Sequence, residues 1–460
     1  MTSRAAVEEA APGARPSIRT FTVVFVALVV AGFLLRLAYV WFARRNSCGA
    51  AILVDGCPGD SWVYHTSANL LADGKGWIET STYVLSHGRI RRPAADHPPG
   101  LIVILAAFSW VGLGSWLAHQ LVMVVIGTAS IVVGGLATRE IFGPRAALIV
   151  AALVAFDPDV WIHDGNVLSE SLSILLMFAA IWAAYRLWYR PSWLRALVLG
   201  VVIGASMQVR PETALLIVLL AAPIVLLRRD DSLLRRVERL GVVIVASIVV
   251  IAPWVGYNLS RFNHPVFLSN GGTSLANTNC DITYYGELVG YWSPACIPPF
   301  TRAPGQDQSD DDIFLRRVGL DYVRAHERRF PVVVAARIAR MWGMFRPAQQ
   351  IRLEYYEGRP RWAGWLALGA LYVTLPLAVY GGVLTRRRRI PLTPLVAPII
   401  LVTLTAVITF GVSRYRAPAE PALCILVAVA IDALLVRLWP RHGRLAAGTL
   451  ATGGKRKKER

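Results

Sequence analysis

The 460-residue chain places carboxylates, guanidinium groups and imidazoles where its apolar runs end. Asp60 opens the stretch GDSWVYHTSANLLADGKGW, Asp96 and His97 sit in RPAADHPPG, and Asp157, Asp159, His163, Asp164 and Glu170 share FDPDVWIHDGNVLSES. Arg210 and Glu212 follow in MQVRPETA, and Arg414 and Arg416 in VSRYRAP. A carboxylate within hydrogen-bond reach of a hydroxyl can accept its proton as the hydroxyl attacks. A guanidinium can grip a phosphate through two parallel hydrogen bonds and meet the negative charge that develops there. Acids and arginines at one mouth therefore suit group transfer from a phosphate-bearing molecule. Each also has a plain structural reading. Asp60 precedes a helical pattern and would serve as an N-cap; Glu170 would be a helix-start acid favoured by the macrodipole; Arg36 and Arg210 would snorkel. The acids of 157–164 read as a solvated loop.

The elements that must hold these residues are membrane helices. The chain is 55% hydrophobic with a mean hydropathy of +0.49, and its apolar runs have the length a bilayer requires. In hydrocarbon such runs must be helices, because nothing else there satisfies backbone polar groups. The first run, FTVVFVALVVAGFLLRLAYVWF, is too long for a signal-peptide core and reads as a retained span. The formal charge of +19 gathers in short loops: Arg186, Arg190 and Arg195, then Arg228, Arg229, Arg235, Arg236 and Arg239, then TRRRR, then the terminal KRKKER. That is the positive-inside pattern. No interleaved aromatic and basic platform accompanies it, so nucleic acid is not an expected partner.

With those loops inside, segments 58–98, 157–170, 208–213, 258–358 and 411–420 fall outside. Cys48 with Cys57, and Cys280 with Cys296, form two close pairs in outer loops and suggest two local disulfides. Seven apolar segments separate the two cysteine-bearing loops, yet both loops facing outward needs an even number. The weakest is 99–117, which opens on HPPG and is broken by GLG. The expected fold is therefore an all-α polytopic membrane protein with 10 or 11 transmembrane helices and extracytoplasmic juxtamembrane helices. Its parts are a cytoplasmic tail 1–19, a catalytic module 20–257 with the outer loop 43–98, a large outer loop 258–358, C-terminal spans 359–438 and a basic tail 439–460. Within the large loop, APGQDQSDDD reads as flexible and residues 313–345 as amphipathic helices on the membrane surface. Tyr284, Tyr285 and Trp292 suit either stacking on a sugar or packing.

The ordered set of the first span, GDSWVYHTSANLLADGKGW, HPPGLIVILAAF, LSESLSILLMFAAIW, VRPET and APWVGYNLSRFNHPVFLSNGG resembles the integral-membrane glycosyltransferases of superfamily C, in the branch of protein O-mannosyltransferases and aminoarabinose transferases. The resemblance implies transfer of a sugar from a polyprenyl-phosphate donor to an acceptor hydroxyl on the outer face, with inversion. It implies Asp60 as general base, and the negative charge developing on the leaving phosphate makes Arg210, His97 and Arg414 the candidate donor-phosphate ligands. His97 stands where the aminoarabinose transferases carry lysine, so that lysine's role does not carry over directly. Glu170, Tyr64 and Asp96 would position sugar or acceptor. A divalent cation, magnesium or manganese, held by Asp60 and Glu170 stays open, since metal dependence varies in the superfamily. The acceptor would be a protein, a glycolipid or a polysaccharide, and membrane lipid surrounds the whole. A transporter or flippase of a lipid-linked sugar is the competing reading.

Overall fold

A computed structural model describes residues 18–47, 59–228, 231–356 and 358–438. Among them there is no strand, and only a lone β-bridge joins Ile78 to Pro93. Six helices are long and apolar enough to cross a bilayer: Ile18–Arg44, Trp116–Phe142, Glu170–Tyr189, Leu233–Leu259, Arg361–Arg387 and Ser413–Leu438. A seventh candidate is the pair Pro144–Phe156 and Pro158–Gly165, bent by 57°. Four shorter apolar helices, Pro99–Trp110, Trp193–Met207, Pro211–Leu226 and Thr393–Ile408, accompany them. The chain is thus an all-α, multi-pass membrane protein. The segment singled out as the weakest span holds a helix of 12 residues, about 18 Å long and far short of a bilayer's apolar thickness.

The bend at Asp157 shows how a polar element is built into an apolar bundle. Pro158 has no N–H, so the carbonyl of Val154 four residues earlier loses its helical donor. The N–H of Asp159 turns instead to the Asp157 carboxylate, 3.0 Å away, which frees the carbonyl of Ala155 as well. Both orphaned carbonyls accept from Arg36: Nη2 reaches Val154 at 2.7 Å and Nη1 reaches Ala155 at 3.1 Å. The same guanidinium donates through Nε to Asp164 at 2.6 Å. Arg36 is fully buried, so it does not snorkel; it replaces the hydrogen bonds that a proline removed. Gly127 leaves room for the arrangement, because a Cβ there would lie 2.1 Å from Asp164.

Helix-to-helix packing uses small residues in the manner of membrane interiors, where apolar burial alone gives no preference for protein over lipid. On Trp193–Met207, Gly200 and Gly204 let the Leu233–Leu259 helix approach until Ser247 Oγ donates to the Gly200 carbonyl at 2.9 Å. The largest apolar cluster joins Pro144–Phe156, Glu170–Tyr189 and Glu420–Leu438.

Residues 258–358 differ from expectation. The acidic run is the ordered start of the Gln308–Ala325 helix, where Asp307 and Asp310 form a reciprocal capping box. Helix Phe330–Met341 is built into the protein: Arg337 and Arg340 are fully buried. Arg337 donates to the carbonyls of Val407 and Thr278, and Arg340 to those of Val289 and Glu287. Arginines that looked like a surface stripe instead satisfy carbonyls at helix ends and in loops. Cys280 and Cys296 are joined in a disulfide; Cys48 and Cys57 lie outside the described residues.

Replacing Arg36 by Met would leave the Asp164 carboxylate and two carbonyls buried without a donor. We expect a loss of about 3–5 kcal/mol, read as thermal unfolding of the detergent-solubilised protein. Arg36→Met combined with Asp164→Asn should recover part of it, because the uncompensated charge is gone.

Candidate functional site

Asp60 lies in the first turn of helix Gly59–Ala72, one residue inside its start, and so is not an N-cap. The helix is pinned by a polar clasp on its neighbouring face. His65 Nδ1 and His119 Nδ1 lie 2.9 Å apart, His119 Nε2 and Ser109 Oγ 2.9 Å, and Ser109 Oγ donates to Asn69 at 2.7 Å. Asn69 in turn donates to the Gly114 carbonyl at 3.0 Å. Burial lowers the pKa of His65 to about 4, so the clasp is uncharged at neutral pH. The turn after the helix uses Gly74 and Gly76, both at positive φ, and His97 and the double proline lead into Pro99–Trp110, which packs against Gly59–Ala72.

The residues singled out by sequence meet in one chain of charges. Asp96 Oδ2 lies 3.1 Å from His97 Nδ1, and His97 Nε2 lies 3.6 Å from Asp60 Oδ1. Arg414 donates to Asp60 Oδ2 at 2.6 Å and lies 4.0 Å from Glu170 Oε1. Glu170 Oε1 also accepts from Arg210 at 3.3 Å, and Arg210 Nε donates to Glu212 at 2.7 Å. Tyr64 packs edge-on against His97 with ring centroids 5.1 Å apart. Asp60, Asp96, His97, Glu170, Arg210, Arg414 and Tyr64 are therefore brought together, although they come from five separate stretches. Arg210 is 6% exposed, which rules out the snorkelling reading. Glu170 does begin its helix, and takes part in the chain as well.

Exposure separates the members. The Asp60 side chain keeps 45% of its accessible surface, whereas Glu170 keeps 2% and Arg414 8%. Asp60 thus lines an opening while its partners form the wall. Burial works against its charge, but the Arg414 guanidinium and His97 outweigh that and hold its carboxyl well below the usual carboxylate range. Burial likewise opposes a charged His97, and the carboxylates of Asp96 and Asp60 carry it up to about 10. Burial, with the charges of Asp60 and Glu170, pushes the Tyr64 phenol up, leaving a neutral donor. Among the described residues Glu170 Oε2 is buried without a hydrogen-bond partner; in a site of this polarity it is an open acceptor.

A divalent cation between Asp60 and Glu170 does not fit this donor set. Arg414 occupies the space between the two carboxylates, and Asp60 Oδ2 and Glu170 Oε1 already pair with guanidinium groups. Among the described residues no group of three or more His, Cys, Asp or Glu converges as metal ligands would.

Two features escaped the sequence. Tyr415 lies under both guanidinium groups, 4.7 Å from Arg210 and 5.3 Å from Arg414; an aromatic between two arginines in SRYRAP was the available signal. The second is a buried network behind the site. Asp157, Asp159, His163 and Asp164 are all buried, not a solvated loop. Arg416 pairs with Asp159 at 2.5 Å and Glu420 at 2.7 Å, while Arg359 pairs with Glu354 at 3.4 Å and contacts His163 at 3.1 Å. Arg414 and Arg416, two residues apart on the Ser413–Ala419 turn, therefore serve different networks. Tyr284 is buried and donates to Asn279, so it packs and is not offered to a ligand.

Residues 96–257 match the family model described as dolichyl-phosphate-mannose-protein mannosyltransferase. No curated protein sequence matches the chain. Among solved structures, the Archaeoglobus fulgidus oligosaccharyltransferase in complex with Zn and sulfate is similar at 13% identity and a TM-score of 0.51, over 91% of this chain and 50% of that one. The same protein tethered to an acceptor peptide containing the NVT sequon matches at 12% identity and a TM-score of 0.53, over 96% and 54%. This chain thus spans about half the length of that enzyme. ArnT from Cupriavidus metallidurans bound to undecaprenyl phosphate matches at 17% identity and a TM-score of 0.42, over 92% and 80%.

The pH behaviour of His97 tests the chain of charges. Its folded pKa is raised, so its contribution to stability is complete below the unfolded value near 6.5 and is lost as pH rises through about 10. Melting curves of the wild type should fall towards those of His97→Gln between pH 7 and 10, and the two should converge above it.

Proposed function

We propose that this chain, which resembles the membrane glycosyltransferases of superfamily C in fold and in the pattern of residues 96–257, moves a sugar from a polyprenyl-phosphate donor to an acceptor hydroxyl with inversion at the anomeric carbon. The observation that carries the reading is Asp60: an ionised carboxylate, open on one side, held on the other by an arginine that borders a second arginine site. The site lies on the extracytoplasmic face in this reading, since the arginine-rich loops cap the other end of the bundle.

The acceptor oxygen attacks the anomeric carbon from the side opposite the phosphate, and Asp60 takes the hydroxyl proton. The bond between that carbon and the phosphate oxygen breaks, its electron pair stays with oxygen, and polyprenyl phosphate leaves as a monoester. Arg414 and Arg210 receive the growing charge, with His97 as a further cation. Arg414 holds two tasks in sequence: paired with Asp60 it keeps the carboxylate weakly basic, and turned to the donor phosphate it releases that carboxylate as a stronger base. Protonation is thereby tied to donor binding. Glu170 Oε2 and the Tyr64 hydroxyl position a sugar or acceptor hydroxyl. The acceptor is a protein, a glycolipid or an envelope polysaccharide, all of which offer the hydroxyl that the mechanism needs.

Membranes carrying the chain should transfer label from one member of a radiolabelled polyprenyl-phosphate sugar panel to envelope acceptors. Asp60→Asn, matched for expression and melting temperature, should lower kcat by about 100- to 10,000-fold. Equal transfer by both proteins removes Asp60 from the mechanism. Donor movement across the bilayer without transfer to any acceptor replaces the enzyme by a flippase. Arg414→Gln should lower kcat and raise KM for the donor together, because the guanidinium serves both binding and leaving-group charge.

A further inference from the structure

The Glu170–Tyr189 helix starts in the acid–arginine site and, at 20 residues, runs about 30 Å, one hydrocarbon thickness, to the opposite face. There, beside Trp188, lies a cavity of about 370 Å³, lined also by Pro223, Leu227, Arg386, Arg389 and Thr393. Its shape is set by the turn that ends helix Arg361–Arg387. Arg389 adopts a positive φ of 55°, its N–H bonds the Arg386 carbonyl at 2.9 Å, and Ile390 bonds Thr385 at 3.2 Å. The Tyr185 hydroxyl then donates to the Pro391 carbonyl at 2.7 Å and anchors the returning chain. Arg386 and Arg389 consequently border the same space.

Three other arginines at this end of the bundle are held by protein groups: Arg186 pairs with Glu140 at 2.8 Å, Arg239 pairs with Asp231, and Arg236 donates to the Leu226 carbonyl at 2.7 Å. Among the described residues the side chains of Arg386 and Arg389 have no partner, and no carboxylate lines the cavity. An unbalanced pair of guanidinium groups beside an indole, with exposed Leu227 on the cavity wall and exposed Val383 one turn before Arg386 on the same helix (67% and 45%), brings together the cationic, amphipathic and apolar groups that suit a lipid's phosphate, glycerol and acyl chain.

We propose that this cavity binds an anionic glycerophospholipid, its phosphate between Arg386 and Arg389, its glycerol region against Trp188 and its acyl chains along Pro223 and Leu227. The site is separate from the donor site, lies on the other face of the membrane, and stands whether or not the transfer reaction does.

The test uses the full chain in detergent micelles, titrated with dioleoylphosphatidylglycerol, with dioleoylphosphatidylcholine or with inorganic phosphate, and read by native mass spectrometry and melting temperature. The variants are Arg386→Gln with Arg389→Gln, and a charge-matched control, Arg235→Gln with Arg437→Gln, at exposed positions outside the cavity. Phosphatidylglycerol should bind the wild type and the control alike, and about 30-fold more weakly to the cavity variant. Phosphatidylcholine should not raise the melting temperature of any of them. Equal weakening in the control, or equal binding of both lipids, overturns the site. Inorganic phosphate that saturates the cavity and displaces phosphatidylglycerol shows a soluble-anion site and overturns the lipid. Brominated phosphatidylglycerol should quench the wild type more than Trp188→Phe, which separates occupancy of this cavity from any effect of the substitutions on folding; equal quenching overturns it too.

Discussion

The ion pair between Arg414 and Asp60 joins residues 354 positions apart, and through it the first polar helix meets the last polar turn. Asp60 arrives on a short helix above the apolar layer, clasped to its neighbours by uncharged histidines, serine and asparagine. Arg414 arrives on the last polar turn before the final span. A carboxylate facing a partly dry opening must find a counter-charge or take up a proton. Arg414 supplies that counter-charge, and its own position is fixed in turn by Glu170 and by the face of Tyr415.

The same physics recurs below the site. Arg36 with Asp164, Arg416 with Asp159 and Glu420, and Arg359 with Glu354 are all buried pairs. Removing one partner of such a pair costs far more than the pair contributes, so each ties distant segments to a single arrangement. Between them they connect the first span, the broken helix at Asp157, the segment before Arg361 and the start of the last helix. The open carboxylate of Asp60 rests on a wall in which nearly every other charge has been neutralised.

The helical membrane class was legible because hydrocarbon allows a chain few alternatives, and the short helix after HPPG was legible in its GLG break. Asp60, His97, Glu170, Arg210 and Arg414 were legible as residue types at the ends of apolar runs, which is where water and hydrocarbon meet. What the one-dimensional pattern did not reveal was pairing over long separation. Asp159 and Asp164 looked solvated because their arginines lie far off in the chain, at 416 and 36. Arg337 and Arg340 looked like a surface stripe because helical spacing is blind to the carbonyls that curl round them. Tyr415 was overlooked because its ring matters only once two guanidinium groups converge on it.

A separation of 354 residues also has a meaning in time. Ribosomes add roughly 5–20 residues each second, so the Asp60 carboxylate waits on the order of 20–70 s for its arginine while the intervening spans enter the bilayer one after another. Arg36, by contrast, meets Asp164 after 128 residues. The Arg36 frame of the bundle can thus be locked early in biosynthesis, and the Asp60 end is completed last, when the chain is nearly finished. A nascent or truncated chain holds the acid without its counter-charge until the turn that carries Arg414 is in place.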